Sequence, residues 1–270
     1  MVQLWGPRFN AYVVAARDLA VFSLGRLPDD AKALRVAEDL AARLRALTRG
    51  ERMTYGEAGR ALGEHPNRLR YAAPTGTVVI RWDGARLPTV WSVPPPEADP
   101  REARLELARR HLHIFGPTTP EAFAGWAGIG LPRGRAAFDA LRRSLTPVRT
   151  PIGDAYMLTR DEPAFRAGPE SAAPARLLPS GDAYFLLQGA DRELLILDAD
   201  RRGELWTPRV WPGGLLVDGE IVGTWRRAQR TVTVRTWRRL SRAARDAVEA
   251  EAESLPLPGT EGRIVVRWDD

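Results

Sequence analysis

Residues 54–93 read TYGEAGRALGEHPNRLRYAAPTGTVVIRWDGARLPTVWSV, and the order of signals along them decides the fold. Thr54-x-x-Glu57 has the spacing of a capping box, in which hydroxyl and carboxylate satisfy each other's backbone N–H at a helix start. Gly63 is placed to end that helix, since glycine enters the left-handed conformation without steric cost. Pro66 fits the first turn of a further helix, Asn67 to Ala73, which Pro74 stops. Thr77 to Trp82 predicts a strand, Asp83-Gly84 a hairpin turn, and Thr89 to Val93 the return strand. Upstream, Leu34, Ala37, Ala41 and Leu44 recur at helical spacing and predict a helix over residues 30–47. The segment therefore holds three helices and a hairpin.

The same order follows again. A helix from Pro100 carries Ala103, Leu107, Ala108 and His111 on one side. Thr118-x-x-Glu121, with Pro120 in the first turn, opens a second helix that Gly128 and Gly130 close. Gly134 to Arg143 is a third, with Phe138, Leu141 and Leu145 facing inward. Pro147 to Thr150 and Ala155 to Leu158 then flank a turn at Gly153-Asp154. Thr54 to Thr118 is a shift of 64 residues, and Gly84 to Asp154 one of 70. Such self-similarity indicates an array. Three helices and a hairpin is the winged-helix plan, a helix-turn-helix variant. The alternative is an α+β domain whose repeat is accidental.

The predicted class is α+β: tandem winged-helix units (helix-turn-helix plus β-hairpin), then a β-rich, partly barrel-like C-terminal domain. Gly6-Pro7-Arg8 reads as a turn, Phe9 to Val14 as a strand and Arg17 to Leu24 as a helix. Residues 1–28 thus look like the wing and following helix of an earlier unit. Pro94-Pro95-Pro96 and residues 167–174 are linkers. Units are placed at 29–98 and 99–168, and the β-rich domain at 169–270. There, Ala183–Leu187, Glu193–Leu197, Gly214–Val217, Glu220–Trp225 and Thr231–Arg235 read as strands. Asp218-Gly219 is a hairpin turn, residues 241–255 an amphipathic helix and Arg263–Trp268 a final strand.

Composition narrows the partners. The 270 residues carry a net charge of +6, and Lys32 is the only lysine. The basic side chains are otherwise all arginine, whose planar fork suits phosphates and base edges. A codon bias toward arginine is the bland reading. No cysteine occurs, which excludes disulfides and thiolate metal sites. His65, His111 and His113 are too few and too scattered to predict a metal site, and no cofactor motif appears. No apolar run approaches the roughly 20 residues that span a bilayer, and the N-terminal residues do not read as a signal peptide. The expectation is a monomeric protein of the cytoplasm, associated with the nucleoid, with no membrane partner.

Double-stranded DNA, damaged or intact, is the expected partner. Asn67, Arg68 and Arg70 lie on the third helix of the first copy. Arg133, Arg135, Arg142 and Arg143 lie on or beside that of the second. The alternative for these is a solvated face with pairs such as Arg135 and Asp139. Arg8, Arg81, Arg86 and Arg149 sit on or near wings, where phosphate contact positions without specifying. The densest basic stretch is Glu220 to Leu240, with Arg226, Arg227 and Arg230 among its arginines and Trp225 and Trp237 between them. Such a strip can grip an unstacked strand, or it is a wet sheet face with arginine stacked on tryptophan.

Several stretches resemble a known family. Gly6-Pro-Arg, Val13-Val-Ala-Ala-Arg-Asp-Leu, and above all Leu107 through Gly128 are similar to winged-helix proteins grouped with the AlkZ/YcaQ-type crosslink-repair DNA glycosylases. Leu178-Pro-x-x-Asp182-x-Tyr184 and Val217-Asp-Gly-x-x-Val-Gly-Thr-Trp-Arg226 match the family's C-terminal part. The resemblance implies three tandem winged helices and a β-rich end around duplex DNA, and cleavage of the N-glycosidic bond of alkylated purines without metal or cofactor. It also implies a Gln-x-Gln or Gln-x-Asp motif, upstream of the first wing, that positions the attacking water. Gln3, Gln188 and Gln229 are the only glutamines, and none begins that motif. No catalytic residue is carried over. A repair glycosylase lacking its motif, a non-enzymatic DNA-binding protein and a transcriptional regulator are the three functional expectations.

Overall fold

The computed structural model describes residues 1–82, 87–167, 173–187, 189–208, 210–256 and 262–269. The expected turn at Asp83-Gly84, Arg86, Gln188 and most of the 167–174 linker lie outside these. The fold is mixed α+β. The chain divides into two compact units, residues 1–148 with 155–159, and 149–154 with 160–270.

In the first unit, β1 (Val2–Trp5) and β2 (Ala11–Val14) are joined by a 3-10 turn over Pro7–Phe9. The helix expected over 17–24 is a 3-10 turn, a short helix α1 (Leu19–Ser23) and a second 3-10 turn, Leu24–Arg26. Next come α2 (Ala31–Thr48), β3 (Met53–Thr54), α3 (Tyr55–Leu62), β4 (Val78–Arg81) and β5 (Thr89–Ser92). Asp30 caps α2 by accepting the Ala33 N–H at 2.8 Å, and Ala37, Leu40, Ala41 and Leu44 bury its inner face. The capping box of α3 is present: Thr54 Oγ1 accepts from Glu57 N–H at 3.2 Å and Glu57 Oε2 from Thr54 N–H at 3.1 Å. Gly63 ends α3 at φ 65°.

Residues 66–75 form a 3-10 helix rather than an α-helix. Pro74 has no N–H, and its ring opposes the carbonyl four residues back. The turn still buries Leu69 and Ala72 against the core of Leu40, Leu44, Tyr55, Ile80 and Val90.

β1 was not expected. It lies inside a five-stranded sheet of order β2-β1-β4-β5-β3, paired to β4 through Gln3 and Ile80. The Gln3 amide extends that ladder, donating to Trp82 O at 3.2 Å and accepting from Trp82 N–H at 2.6 Å. The pair β1–β2 and the strands β4 and β5 are thus one sheet.

The second helical group holds α4 (Pro100–Phe115), α5 (Pro120–Ala127) and α6 (Leu131–Leu141), then a hairpin of β6 (Leu145–Thr150) and β7 (Gly153–Leu158). Two local readings are corrected. Thr119, not Thr118, caps α5 through the Ala122 N–H, while Thr118 is buried and bridges backbone to backbone with Tyr156. The hairpin turns at residues 151–152, which places Gly153-Asp154 in a strand.

Arginines hold the turn over Leu24–Arg26 in place. Arg26, 3% exposed, donates from Nε to Ala127 O at 2.8 Å and from Nη1 to Trp5 O at 2.9 Å, tying α5 to β1. Burial lowers its pKa to about 10, so it stays charged at neutral pH. Arg104 of α4 donates to Gly25 O, and Arg133 of α6 to Leu27 O while pairing with Asp29. Arg110 of α4 pairs with Asp18 at 2.8 Å.

The second unit contains α7 (Glu162–Arg166), β8 (Ala175–Leu178), α8 (Arg192–Leu195), α9 (Ala199–Leu205), β9 (Gly213–Val217), β10 (Glu220–Ala228), β11 (Thr231–Thr236), α10 (Arg242–Glu253) and β12 (Val265–Trp268). Its sheet runs β12-β11-β10-β9-β8, with β12 parallel to β11. It is open, which corrects the partly barrel-like expectation: its ends are different strands, and Val248 and Ala252 of α10 close the core instead. The strands expected at 183–187 and 193–197 are also absent. Residues 183–185 form a 3-10 turn and 192–195 a short helix, and Phe185 and Ile196 join Leu205 and Trp206 in a separate apolar cluster. Short apolar runs suit a buried turn as well as a strand.

The family-like motifs of this unit build the fold. Asp182 caps the turn through Tyr184 N–H, and the Tyr184 hydroxyl donates to Gly219 O at 3.2 Å. Asp218 and Gly219 take φ of 51° and 84°, as the predicted hairpin turn requires. Trp225 Nε1 donates to Leu178 O at 2.9 Å, and a Cβ on Gly213 would overlap the Trp225 indole. No helix of the described residues is long and apolar enough to cross a membrane.

Replacing Arg26 by methionine strands two carbonyls that now accept from a charged donor, an interaction worth about 1.5–3 kcal/mol each. Urea denaturation of Arg26→Met is expected to show a loss of about 3 kcal/mol. A loss below about 1 kcal/mol would refute the clamp.

Candidate nucleic-acid interface

The loop of residues 7–9 and the 3-10 helix of residues 66–75 meet through aromatic contacts. Phe9 packs edge-on to Tyr71 at 5.1 Å, and the guanidiniums of Arg26 and Arg70 lie 5.1 and 5.3 Å from its ring centre. Arg8 and Phe9 both take positive φ, 55° and 56°. That conformation is costly for residues with a Cβ. Phe9 is held inward by its partners, while Arg8 is exposed. Arg70 is half-buried against Phe9 and Tyr71, so its guanidinium is part of the packing. Asn67 and Arg68 are exposed, with Arg68 paired to Glu64 at 3.1 Å.

In the second helical group, Arg133 braces the Leu27–Asp29 segment. Arg135 pairs with Glu121 at 2.8 Å rather than with Asp139, the partner that spacing suggested. Glu121 lies on α5, and the bond crosses between two helices. Arg142 and Arg143 follow α6 in a 3-10 turn, exposed, and neither has a hydrogen bond or ion pair among the described residues. Arg149 pairs with Asp154 at 3.0 Å. Of the second unit's expected residues, Arg226 donates to Val210 O and Arg227 to Gln229 O, and Arg230 lies beside Gly262.

Arg81 rims a cavity of about 660 Å3 in the first unit, lined by Val2, Val13, Trp82 and Trp91 with Gln3. Arg52 lies 4.5 Å over the Trp91 ring. The wall is apolar and aromatic and suits a flat, weakly polar group. Sequence reading missed Arg52, Trp82 and Trp91 as a set, because residues 52 and 91 meet only once β3 pairs with β5.

His111 is buried among Phe115, Phe123 and Trp126, and desolvation pushes its pKa down to about 3. It is a core residue, neutral at physiological pH. Tyr12, half-buried, is raised to about 12 by desolvation. Among the described residues no three histidine or acidic side chains gather as a metal site requires.

Comparison with known proteins fits this geometry. A profile of the family described as DNA glycosylase AlkZ-like matches residues 1–256. The chain belongs to that family. The structure of the Streptomyces sahachiroi DNA glycosylase AlkZ superposes with a TM-score of 0.74 at 20% identity, over 99% of this chain and 81% of that one. At that identity the AlkZ likeness establishes a shared fold. No curated protein matches the chain.

The neutral His111 generates a pH test. Below the ordinary imidazole pKa of about 6.5 the unfolded chain binds a proton that the folded core refuses, so stability falls as pH drops. The expected slope is about 1.4 kcal/mol per pH unit below pH 6. Denaturant midpoints at pH 7.5, 6 and 5 are expected to fall less steeply for His111→Phe. An unchanged slope would place the imidazole in water.

Proposed function

We propose that this AlkZ-like protein binds duplex DNA as a monomer and serves the repair of alkylated or crosslinked DNA. In this reading residues 29–98 and 99–168 are winged-helix units, with 1–28 as the wing and following helix of an earlier one and 169–270 as a β-rich domain. The first unit presents Asn67 and Arg68, and the second Arg135, Arg142 and Arg143. Arg8 and Arg81 contact the backbone from the wings. The observation that carries the reading is the pair Arg142 and Arg143, exposed and without partners among the described residues at the end of α6, in a chain of this family. Guanidiniums left unpaired at a helix end are available for phosphates or guanine edges.

The family favours a second reading, hydrolysis of the N-glycosidic bond of an alkylated purine. Residues 1–270 contain no Gln-x-Gln or Gln-x-Asp, and the buried His111 is no general base at neutral pH. The first reading therefore stands as the conclusion: these residues hold the DNA without releasing the base.

Fluorescence anisotropy with a labelled duplex tests binding. Affinity is expected to fall steeply with salt, and Arg142→Ala with Arg143→Ala to lower the log–log salt slope by about 2, near 0.9 per phosphate released. Binding that ignores salt would overturn the reading. Chromatography of bases released from methylated duplex separates the two readings: none is expected, and release above the protein-free control favours the hydrolase.

A further inference from the structure

The arginine strip of residues 220–240 is continuous in sequence and divided in space. β10 and β11 form a hairpin, so Arg226, Arg227 and Arg230 fall at its turn, while Arg238 and Arg239 leave from its open end. The Arg227–Val232 rung and the Gly223–Thr236 rung are four residue steps apart, roughly 14 Å of strand. The two ends differ in chemistry. At the turn, Arg226 and Arg227 donate to backbone carbonyls. At the open end, Arg239 and Arg242 are exposed and make no hydrogen bond or ion pair among the described residues.

A cleft of about 880 Å3 opens there, lined by Arg238, Arg239, Arg242 and Arg245, with Trp237 and Trp268 in its walls. Its contributors come from the end of β11, the start of α10 and β12, which only the folded sheet brings together. The Arg245 guanidinium lies 4.6 Å over the Trp268 ring. Stacking of this kind orients the planar fork. Two acids also line the cleft. Glu249 accepts from the Trp268 indole at 3.1 Å, and Asp246 is the other. Arg238 approaches Glu220 at 3.8 Å. Four guanidiniums against two lining carboxylates leave the cleft positive. Arg242 opens α10, where the helix dipole is itself positive, so the placement is unfavourable until an anion arrives.

We infer that this cleft is a second nucleic-acid site, one that grips the phosphodiester backbone of DNA. It rests on the DNA-binding reading above, singles out Arg239 from the strip, and adds Arg242 and Arg245, which the sequence assigned to no function. The width of the cleft and the guanidiniums of Arg239 and Arg242 suit adjacent phosphates along one strand better than a single small anion. Base edges are not read there, so the grip is independent of sequence.

The test compares two double variants of the full chain on the same labelled duplex, from about 50 to 300 mM salt. Arg239→Ala with Arg242→Ala is expected to lower the salt slope by about 2 and to weaken binding at least tenfold near 100 mM. Arg226→Ala with Arg227→Ala, whose guanidiniums already serve carbonyls, is expected to change the slope by less than 1. Thermal melts confirm that both variants fold, since all four residues are exposed. A cleft variant with the wild-type slope, alongside an Arg142/Arg143 variant that loses it, overturns this inference and leaves the DNA-binding reading intact. A wild-type chain that shows no salt-dependent binding overturns both.

Discussion

A guanidinium buried without a carboxylate partner has to find oxygen elsewhere, and in this protein Arg26 finds it on the backbone. Its Nε and Nη1 reach Ala127 O and Trp5 O, at the end of one helix and the end of the first strand. Desolvating an arginine is expensive unless its donors are met. The arrangement is therefore tolerated only when α5, β1 and the 24–26 turn stand in their observed relation. Arg104, Arg110 and Arg133 add to the same segment from α4 and α6. The second helical group is fixed to the first sheet by polar cross-bracing as well as by apolar burial.

This sorts the arginines by work, which composition could not do. One set is structural, bonded to carbonyls or stacked on rings: Arg26, Arg104, Arg133 and Arg70. Another is held in ion pairs, Arg68 with Glu64 four residues back and Arg135 with Glu121 on the neighbouring helix. A third set, which includes Arg142, Arg143, Arg239 and Arg242, faces solvent without a hydrogen bond or ion pair among the described residues. A nucleic-acid interface draws on that last group first, since the others must break a bond before they meet a phosphate.

Local chemistry was legible in the sequence where it is local in cause. The capping box at Thr54 and Glu57, the left-handed Gly63 and the Asp218-Gly219 turn depend on three or four consecutive residues. So does the helical face of α2, although Leu40 belongs to it and went unread. Errors arose where two neighbours could do the same job. Thr118 and Thr119 both offer a hydroxyl ahead of Pro120, and only the pairing of Thr118 with Tyr156 decides between them. The runs at 183–187 and 193–197 have strand-like composition and bury as turns. Of the candidate interface, the positions of Asn67, Arg68, Arg142 and Arg143 on exposed surfaces were readable from periodicity. The bracing role of Arg133 and the gathering of Arg239, Arg242 and Arg245 were not, because their neighbours are distant in the chain.

The interior place of β1 has a consequence for how the protein is made. Residue 3 pairs with residue 80, so β1 waits for the synthesis of β4 before its second edge is covered. A two-stranded hairpin such as β1–β2 is by itself marginal in water. Loop closure over that span slows assembly more than it weakens the product. The early chain thus carries an unpaired apolar edge during synthesis, and chaperone dependence of the nascent protein would trace to the sheet order rather than to its final stability.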